Sequence, residues 1–320
     1  MQNHKIVVFD GHTLNPGDLS WAALEALGEV KIYDSTPDDK IFARGKKATI
    51  VIANKTNLDM YYLGRLRALQ YVCVSATGYN NVDTQFAREL GVPVSNVSGY
   101  STPSVAQHVF SMLLNFSNQV ALHNQDVQAG GWENSPYWCY WKQPLMELQG
   151  KTMGIYGLGK IGKQVAKIAT AFGMQVIAVH KHPERDAMPN VRFVNKKDLF
   201  RESDCLSLHA PLTPDNQYFI NQNTLALMKP SAILINTGRG GLVHELDLRM
   251  ALENHQIAGA ALDVLSVEPP TKGNPLIGVK NCILTPHQAW GSQESRQRLL
   301  DGVITNVKAF IEGKPINVVN

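Results

Sequence analysis

The sequence predicts an α/β protein of two doubly wound parallel-sheet domains in succession, the first of them discontinuous in the chain. Three observations lead there. Short β-branched runs alternate with segments of helical length from the start; a second, longer series of the same kind begins near residue 152; and the chain ends in an amphipathic helix that the second series does not need. Such alternation is the pattern of a parallel sheet with helices on both faces, because each crossover lays a helix on the sheet.

The first series reads as strands at 5–10 (KIVVFD), 30–34 (VKIYD), 49–54 (TIVIAN), 69–76 (LQYVCVSA) and 92–96 (VPVSN), each closed by a polar or glycine-containing turn. The second reads as strands at 152–157, 174–180, 191–194, 204–210, 232–237, 257–264 and 282–287. Between the series, Val105, Val109, Met112, Leu113 and Phe116 recur at helical spacing. Residues 104–128 therefore read as one helix, opened by Thr102-Pro103-Ser104. Residues 130–144 are irregular and carry Trp132, Trp138 and Trp141, too many tryptophans for a solvated loop. They are expected to bury against a neighbouring domain or a second subunit, or to tuck onto their own domain. The segment 292–315 is a strong amphipathic helix that stops at Gly313 with Pro315 beyond. Its simplest use is to cross back to the first unit, with two crossing helices as the hinge. The domains expected are 1–102 plus 291–320, and 103–290.

Composition narrows the function classes. Across 320 residues, 30 Lys and Arg against 27 Asp and Glu leave a net charge of +3, and 44% of residues are hydrophobic. That balance offers no footprint for nucleic acid and no basic arm for a membrane surface, and it excludes disorder. No apolar stretch approaches the roughly 18 residues of a membrane span. Cys73, Cys139, Cys205 and Cys282 are widely separated, without metal-ligand or redox spacing. A reduced, cytoplasmic protein without a metal site is expected.

The sharpest local signal is Gly157-Leu158-Gly159-Lys160-Ile161-Gly162. A strand precedes it, and Ile161, Val165, Ile168 and Phe172 form the buried stripe of a following helix. In that setting the first glycine allows the turn, the second admits a pyrophosphate, and the third allows close helix–strand contact. The phosphates would sit on the helix N-terminus. A ribose-binding acid is expected about 20 residues on. Here that place is held by His180, followed by Lys181 and His182, with no acid until Glu184. Without a fixed negative charge to repel a 2′-phosphate, the coenzyme expected is NAD or NADP, used within about tenfold of each other.

Three residues stand at carboxyl ends of strands, the edge where such sheets bind ligands. Arg239 follows Asn236-Thr237-Gly238, Glu268 lies in Val267-Glu268-Pro269, and His287 lies in Thr285-Pro286-His287. Reduction of a keto acid by hydride transfer needs these types. Arg presents a planar fork to a carboxylate. His titrates near neutrality, and an adjacent carboxylate favours its charged form. Trp290 and Trp141 could wall a pocket for a short substrate.

At this point the sequence resembles the D-isomer-specific 2-hydroxyacid dehydrogenase family over essentially its whole length. The carrying motifs are NKT (54–56), SATGYNNVD (75–83), NVSGYSTPSVAQH (96–108), the glycine loop, LHAPLTP (208–214), MKPSAILINTGRGGLV (228–243), GAALDVLSVEPP (259–270) and TPHQAW (285–290). Within that family it is most similar to the glycerate dehydrogenase (hydroxypyruvate reductase) branch. The resemblance implies two Rossmann-like domains, with the first binding substrate and the second NAD(P). It also implies a catalytic triad of Arg239, Glu268 and His287, and substrate contacts at Asn54, Lys55, Thr77 and Gly78. Asp263 matches a residue that holds the nicotinamide carboxamide, Thr213 matches a cofactor contact, and Thr237 is counted among the cofactor-binding residues. Members close a cleft between domains and are usually homodimers. The competing readings are a D-lactate or phosphoglycerate dehydrogenase, the latter often with a further C-terminal domain not expected here, and a nucleotide-sensing corepressor-like binding protein.

Overall fold

A computed structural model describes residues 4–320. The chain divides into two compact units, Met1–Ser101 with Gly291–Asn320, and Thr102–Trp290. Both are parallel-sheet α/β units.

In the first unit, β1 (Lys5–Val8), β2 (Glu29–Ile32), β3 (Ile50–Ala53), β4 (Tyr71–Val74) and β5 (Val94–Asn96) pair in the order β2-β1-β3-β4-β5, all parallel. Every residue of β3 and β4 is buried, which is why these strands are continuous apolar runs rather than alternating ones. The helix Gln293–Ile311 belongs to this unit and packs on β4 and β5. Its inner face buries Leu299, Leu300, Val303 and Val307, each contributing about 1.5–3 kcal/mol on burial. Phe310 stacks on Tyr71 at 4.4 Å, and Asn306 Nδ2 donates to the Asn96 carbonyl at 2.9 Å. Beyond the helix, the tail meets the free edge of β5, where Val319 N–H donates to the Val94 carbonyl at 2.8 Å.

The second unit has β6 (Thr152–Tyr156), β7 (Gln175–Val179), β8 (Val191–Phe193), β9 (Cys205–Leu208), β10 (Ile233–Asn236), β11 (Gly259–Leu262) and β12 (Cys282–Leu284). They pair in the order β12-β11-β10-β9-β6-β7-β8, all parallel. From β6 the chain winds out through β7 and β8, then returns to start again at β9 on the other side. The carboxyl ends of β6 and β9 therefore flank the switch point, where open α/β sheets leave a crevice. Apolar side chains pack on both faces, with Leu206, Leu234 and Leu262 in one cluster and Met153, Ile155 and Val165 in the other.

Two expectations are corrected. Residues 104–128 form not one helix but two, Thr102–Asn118 and Val120–Gln128, broken at Gln119 with φ +49°. The first buries Val105, Val109, Met112 and Leu113, whereas the second buries nothing, so the chain turns where its apolar face ends. The tryptophan segment does not tuck onto its own domain. Trp138 is 88% exposed and Trp141 63%, although Tyr140 and Lys142 tie the segment back to Asp126. No described helix is long and apolar enough to cross a membrane.

Candidate active site

The glycine loop is built at the end of β6. Gly157 has φ +98°, and a Cβ there would lie 2.5 Å from the Ala210 nitrogen at the exit of β9. A Cβ on Gly162 would lie 2.3 Å from the Gly157 carbonyl oxygen, so the helix Lys160–Ala171 can approach the strand only through glycine. Gly159 differs: nothing lies within 4 Å of its would-be Cβ, and no side chain caps the helix it opens. Leu158 is buried, Ile161 packs on the core and Lys160 is exposed. The first-turn N–H groups thus face open space with a favourable dipole, the setting a pyrophosphate requires. Thr237, just past β10, adds a buried hydroxyl without a described partner. These features fit a dinucleotide. Thr213 lies in the exposed loop after β9, where its N–H donates to Asn216 Oδ1 at 2.7 Å across the turn Pro214–Asn216.

His180 is more than a strand-end residue. Leu158 N–H, within the glycine loop, donates to its Nδ1 at 3.1 Å, and its Nε2 lies 2.9 Å from Asp186 Oδ2. Accepting at Nδ1 requires the proton on Nε2, so His180 is a bracket between the loop and Asp186. Lys163 bonds Asp186 Oδ1 at 2.7 Å, and Arg185 bonds Oδ2 at 2.6 Å. Lys163, then His180 and Arg185, hold the Asp186 carboxyl far below the usual carboxylate range. A carboxylate does stand beside His180, from Asp186 six residues on, in the short helix Pro183–Asp186.

The other edge of the sheet carries the three residues picked for chemistry. Arg239 follows β10, half-buried, with Nη1 donating to the Gly238 carbonyl at 2.9 Å. Its neighbour Gly240 presses against the loop after β11, since a Cβ there would lie 1.9 Å from the Leu265 carbonyl carbon. That same loop carries Glu268, whose Oε1 accepts from Leu265 N–H at 2.9 Å. Glu268 Oε2 lies 2.6 Å from Nδ1 of His287, which follows β12. With Nδ1 engaged, Nε2 is the nitrogen that can face a substrate. Both side chains are partly open to solvent.

Asp263 is 1% exposed. Its carboxylate accepts from Gln288 N–H and Ala289 N–H at 2.9 Å each and from the Thr285 hydroxyl at 2.6 Å. It is thus turned into the loop that bears His287. His209 stands behind the glycine loop, pushed down to about 3 by burial and 2.8 Å from Ser207 Oγ. Near neutrality it is the uncharged imidazole, with a single ring proton.

The residues expected to touch substrate fall in both units. Asn54 is buried, its amide donating to the Ser75 carbonyl at 2.6 Å. The N–H groups of Asn54, Lys55 and Thr56 converge on Asp10 Oδ2 at 2.7, 3.0 and 3.0 Å, which shapes that turn and leaves the Lys55 side chain outward. The Thr77 hydroxyl donates to the Val97 carbonyl at 3.1 Å, with Gly78 next in the turn. Trp290 closes the second unit, half-buried. Sequence reasoning missed Asp10, Asp186 and the Thr285–Asp263 contact. Asp10 ends the first apolar run and had a signal, whereas the other two had none.

Fold and glycine loop together define a dinucleotide-binding α/β protein with a histidine–carboxylate pair at its sheet edge. The D-isomer specific 2-hydroxyacid dehydrogenase NAD binding domain matches residues 110–289. A hydroxypyruvate reductase of Blautia hydrogenotrophica is 45% identical, over 99% of both chains. A glycerate dehydrogenase of Methylorubrum extorquens is 40% identical, over 91% of this chain and 92% of that one. Among solved structures, an acyclic imino acid reductase in complex with NADPH and D-Arg superposes with a TM-score of 0.87 at 31% identity, covering 99% of this chain and 100% of that one. The chain belongs to the D-isomer-specific 2-hydroxyacid dehydrogenase family, and most resembles its glycerate dehydrogenase members. It is an oxidoreductase that binds a nicotinamide dinucleotide.

Proposed function

We propose that the protein reduces short 2-keto acids, hydroxypyruvate and glyoxylate, to D-glycerate and glycolate, with His287 as proton donor. The observation that carries this reading is the 2.6 Å contact between His287 Nδ1 and Glu268 on the loop that abuts Arg239. The reduced nicotinamide, when bound, supplies the hydride. Gly157 to Gly162 and the first turn beyond would hold the pyrophosphate, with Thr213, Thr237 and Asp263 bordering the rest of the coenzyme site. Arg239 holds the substrate carboxylate and so orients the carbonyl. His287 Nε2 gives its proton to the carbonyl oxygen as negative charge develops there, and Glu268 stabilises the imidazolium and fixes its ring.

The names of the two relatives support this substrate class. Asn54, Lys55, Thr77, Gly78 and Trp290 are the proposed substrate contacts, and a bulky indole wall suits a three-carbon acid. The neighbour's NADPH, with Lys163 and Arg185 offsetting the charge of Asp186, supports use of both NAD and NADP. The exposed tryptophans of 130–144 support a homodimer, in which they would be covered. The test is reduced-nicotinamide absorbance with hydroxypyruvate, glyoxylate, pyruvate and phosphohydroxypyruvate, each with both coenzymes. Hydroxypyruvate and glyoxylate should be turned over well. Equal kcat/KM for hydroxypyruvate and its phosphorylated form would refute the substrate assignment.

A further inference from the structure

We propose that His108, on the helix Thr102–Asn118, is a positioning residue that holds the His287 loop in its working shape through the Thr285 hydroxyl. The proposal rests on the reading of His287 as proton donor. His287 has φ +52°, a left-handed conformation that costs a non-glycine residue about 1–2 kcal/mol. Such a residue persists only where its surroundings over-determine it.

The surroundings come from two elements. Just past β11, the Asp263 carbonyl accepts His287 N–H at 2.8 Å, and the Asp263 carboxylate takes the next two N–H groups and the Thr285 hydroxyl. With its hydrogen given to Asp263, the Thr285 oxygen can only accept. The 3.1 Å contact with His108 Nε2 is therefore a donation from the imidazole. The same Nε2 lies 3.6 Å from Asp263 Oδ1, so its partial positive charge also faces the buried carboxylate. One turn earlier, Ser104 Oγ donates to the Ala289 carbonyl at 2.7 Å. Residues four apart share a helix face. One face of this helix thus grips both ends of the loop, Thr285 and Ala289, with His287 at its centre. His108 acts on the reaction through Thr285, by placement alone.

The experiment compares His108→Leu, which fills the space without a donor, with His108→Gln, whose amide nitrogen can replace Nε2. At saturating coenzyme, His108→Leu should lower kcat for hydroxypyruvate about tenfold, on the scale of a small misplacement of a catalytic group. Coenzyme KM should stay within about twofold, a change of under about 0.5 kcal/mol. His108→Gln should recover most of the loss. In coenzyme-free protein, the Gln288 and Ala289 amides should exchange faster in the Leu variant than in the Gln variant. Wild-type kcat in His108→Leu, or equal impairment in both variants, would overturn the proposal. Should the Leu variant not fold, Thr285→Val against Thr285→Ser makes the same comparison: an impaired Val beside an active Ser supports it, and an active Val overturns it. His287→Ala separates the two claims. If that variant is inactive while His108→Leu is fully active, only the positioning role falls; if His287→Ala is fully active, the proton-donor reading falls too.

Discussion

Two of the histidine–carboxylate pairs in the second unit are of similar length and are assigned opposite uses by the proposed function. His287 meets Glu268 at 2.6 Å and His180 meets Asp186 at 2.9 Å. The difference lies in the remaining nitrogen and the remaining charges. His180 spends Nδ1 on Leu158 N–H, and its carboxylate is shared with Lys163 and Arg185, so protonation at Nδ1 would cost a bond to the glycine loop. His287 engages Nδ1 with its carboxylate, which also accepts from Leu265 N–H, and Nε2 is the nitrogen proposed to face the substrate. Distance alone therefore does not identify a proton carrier; what occupies the second nitrogen does.

Substitutions can break this comparison, and the largest effect should fall on the carrier. His287→Ala should cut keto-acid reduction by about 100-fold or more, the scale of a lost general acid, in steady-state assays at saturating coenzyme. Arg239→Ala should come next. Losing a charged hydrogen bond of about 1.5–3 kcal/mol corresponds to roughly 10- to 150-fold in kcat/KM, with KM for the keto acid raised and kcat lowered. On the bracket side the effects should be smaller and of another kind. On the proposed coenzyme placement, Asp186→Asn removes a charge that would oppose a 2′-phosphate and frees Lys163 and Arg185 to meet it. The kcat/KM ratio of NADPH to NADH should rise by about tenfold, or 1.4 kcal/mol, from a wild-type value within about tenfold of unity. An unchanged ratio would mean that Asp186 does not face the coenzyme. Smallest in catalytic terms is Gly162→Ala, which presses a methyl onto the Gly157 carbonyl. It should cost about 1–3 kcal/mol of stability, read as a lower denaturant midpoint.

Much of this was legible in the sequence, for identifiable reasons. Strands such as β3, β4 and β9 are buried on both faces, so they stand out as unbroken apolar runs. Arg239, Glu268 and His287 were legible because parallel topology gathers carboxyl ends on one edge. Where contacts depend on chain folding back, the sequence was silent. Asp186 reaches His180 only because Pro183–Asp186 coils into a short helix, which moves the acid off its expected place. His108 meets Thr285 across 177 residues, and no local spacing encodes that. The break at Gln119 was hidden because polar residues continue a helical pattern after the buried face has ended.

The alkaline limb of the pH–kcat profile for hydroxypyruvate reduction, at saturating coenzyme, tests the distinction between the two pairs most directly. In the proposed reaction His287 gives up a proton, and Glu268 Oε2 lies 2.6 Å from its Nδ1. Glu268→Gln, which removes that adjacent charge, should therefore move the limb to lower pH. Asp186→Asn should leave the limb in place while changing coenzyme preference. An unshifted limb in Glu268→Gln, or an equal shift in both variants, would contradict the assignment of His287 and Glu268 as the proton-carrying pair.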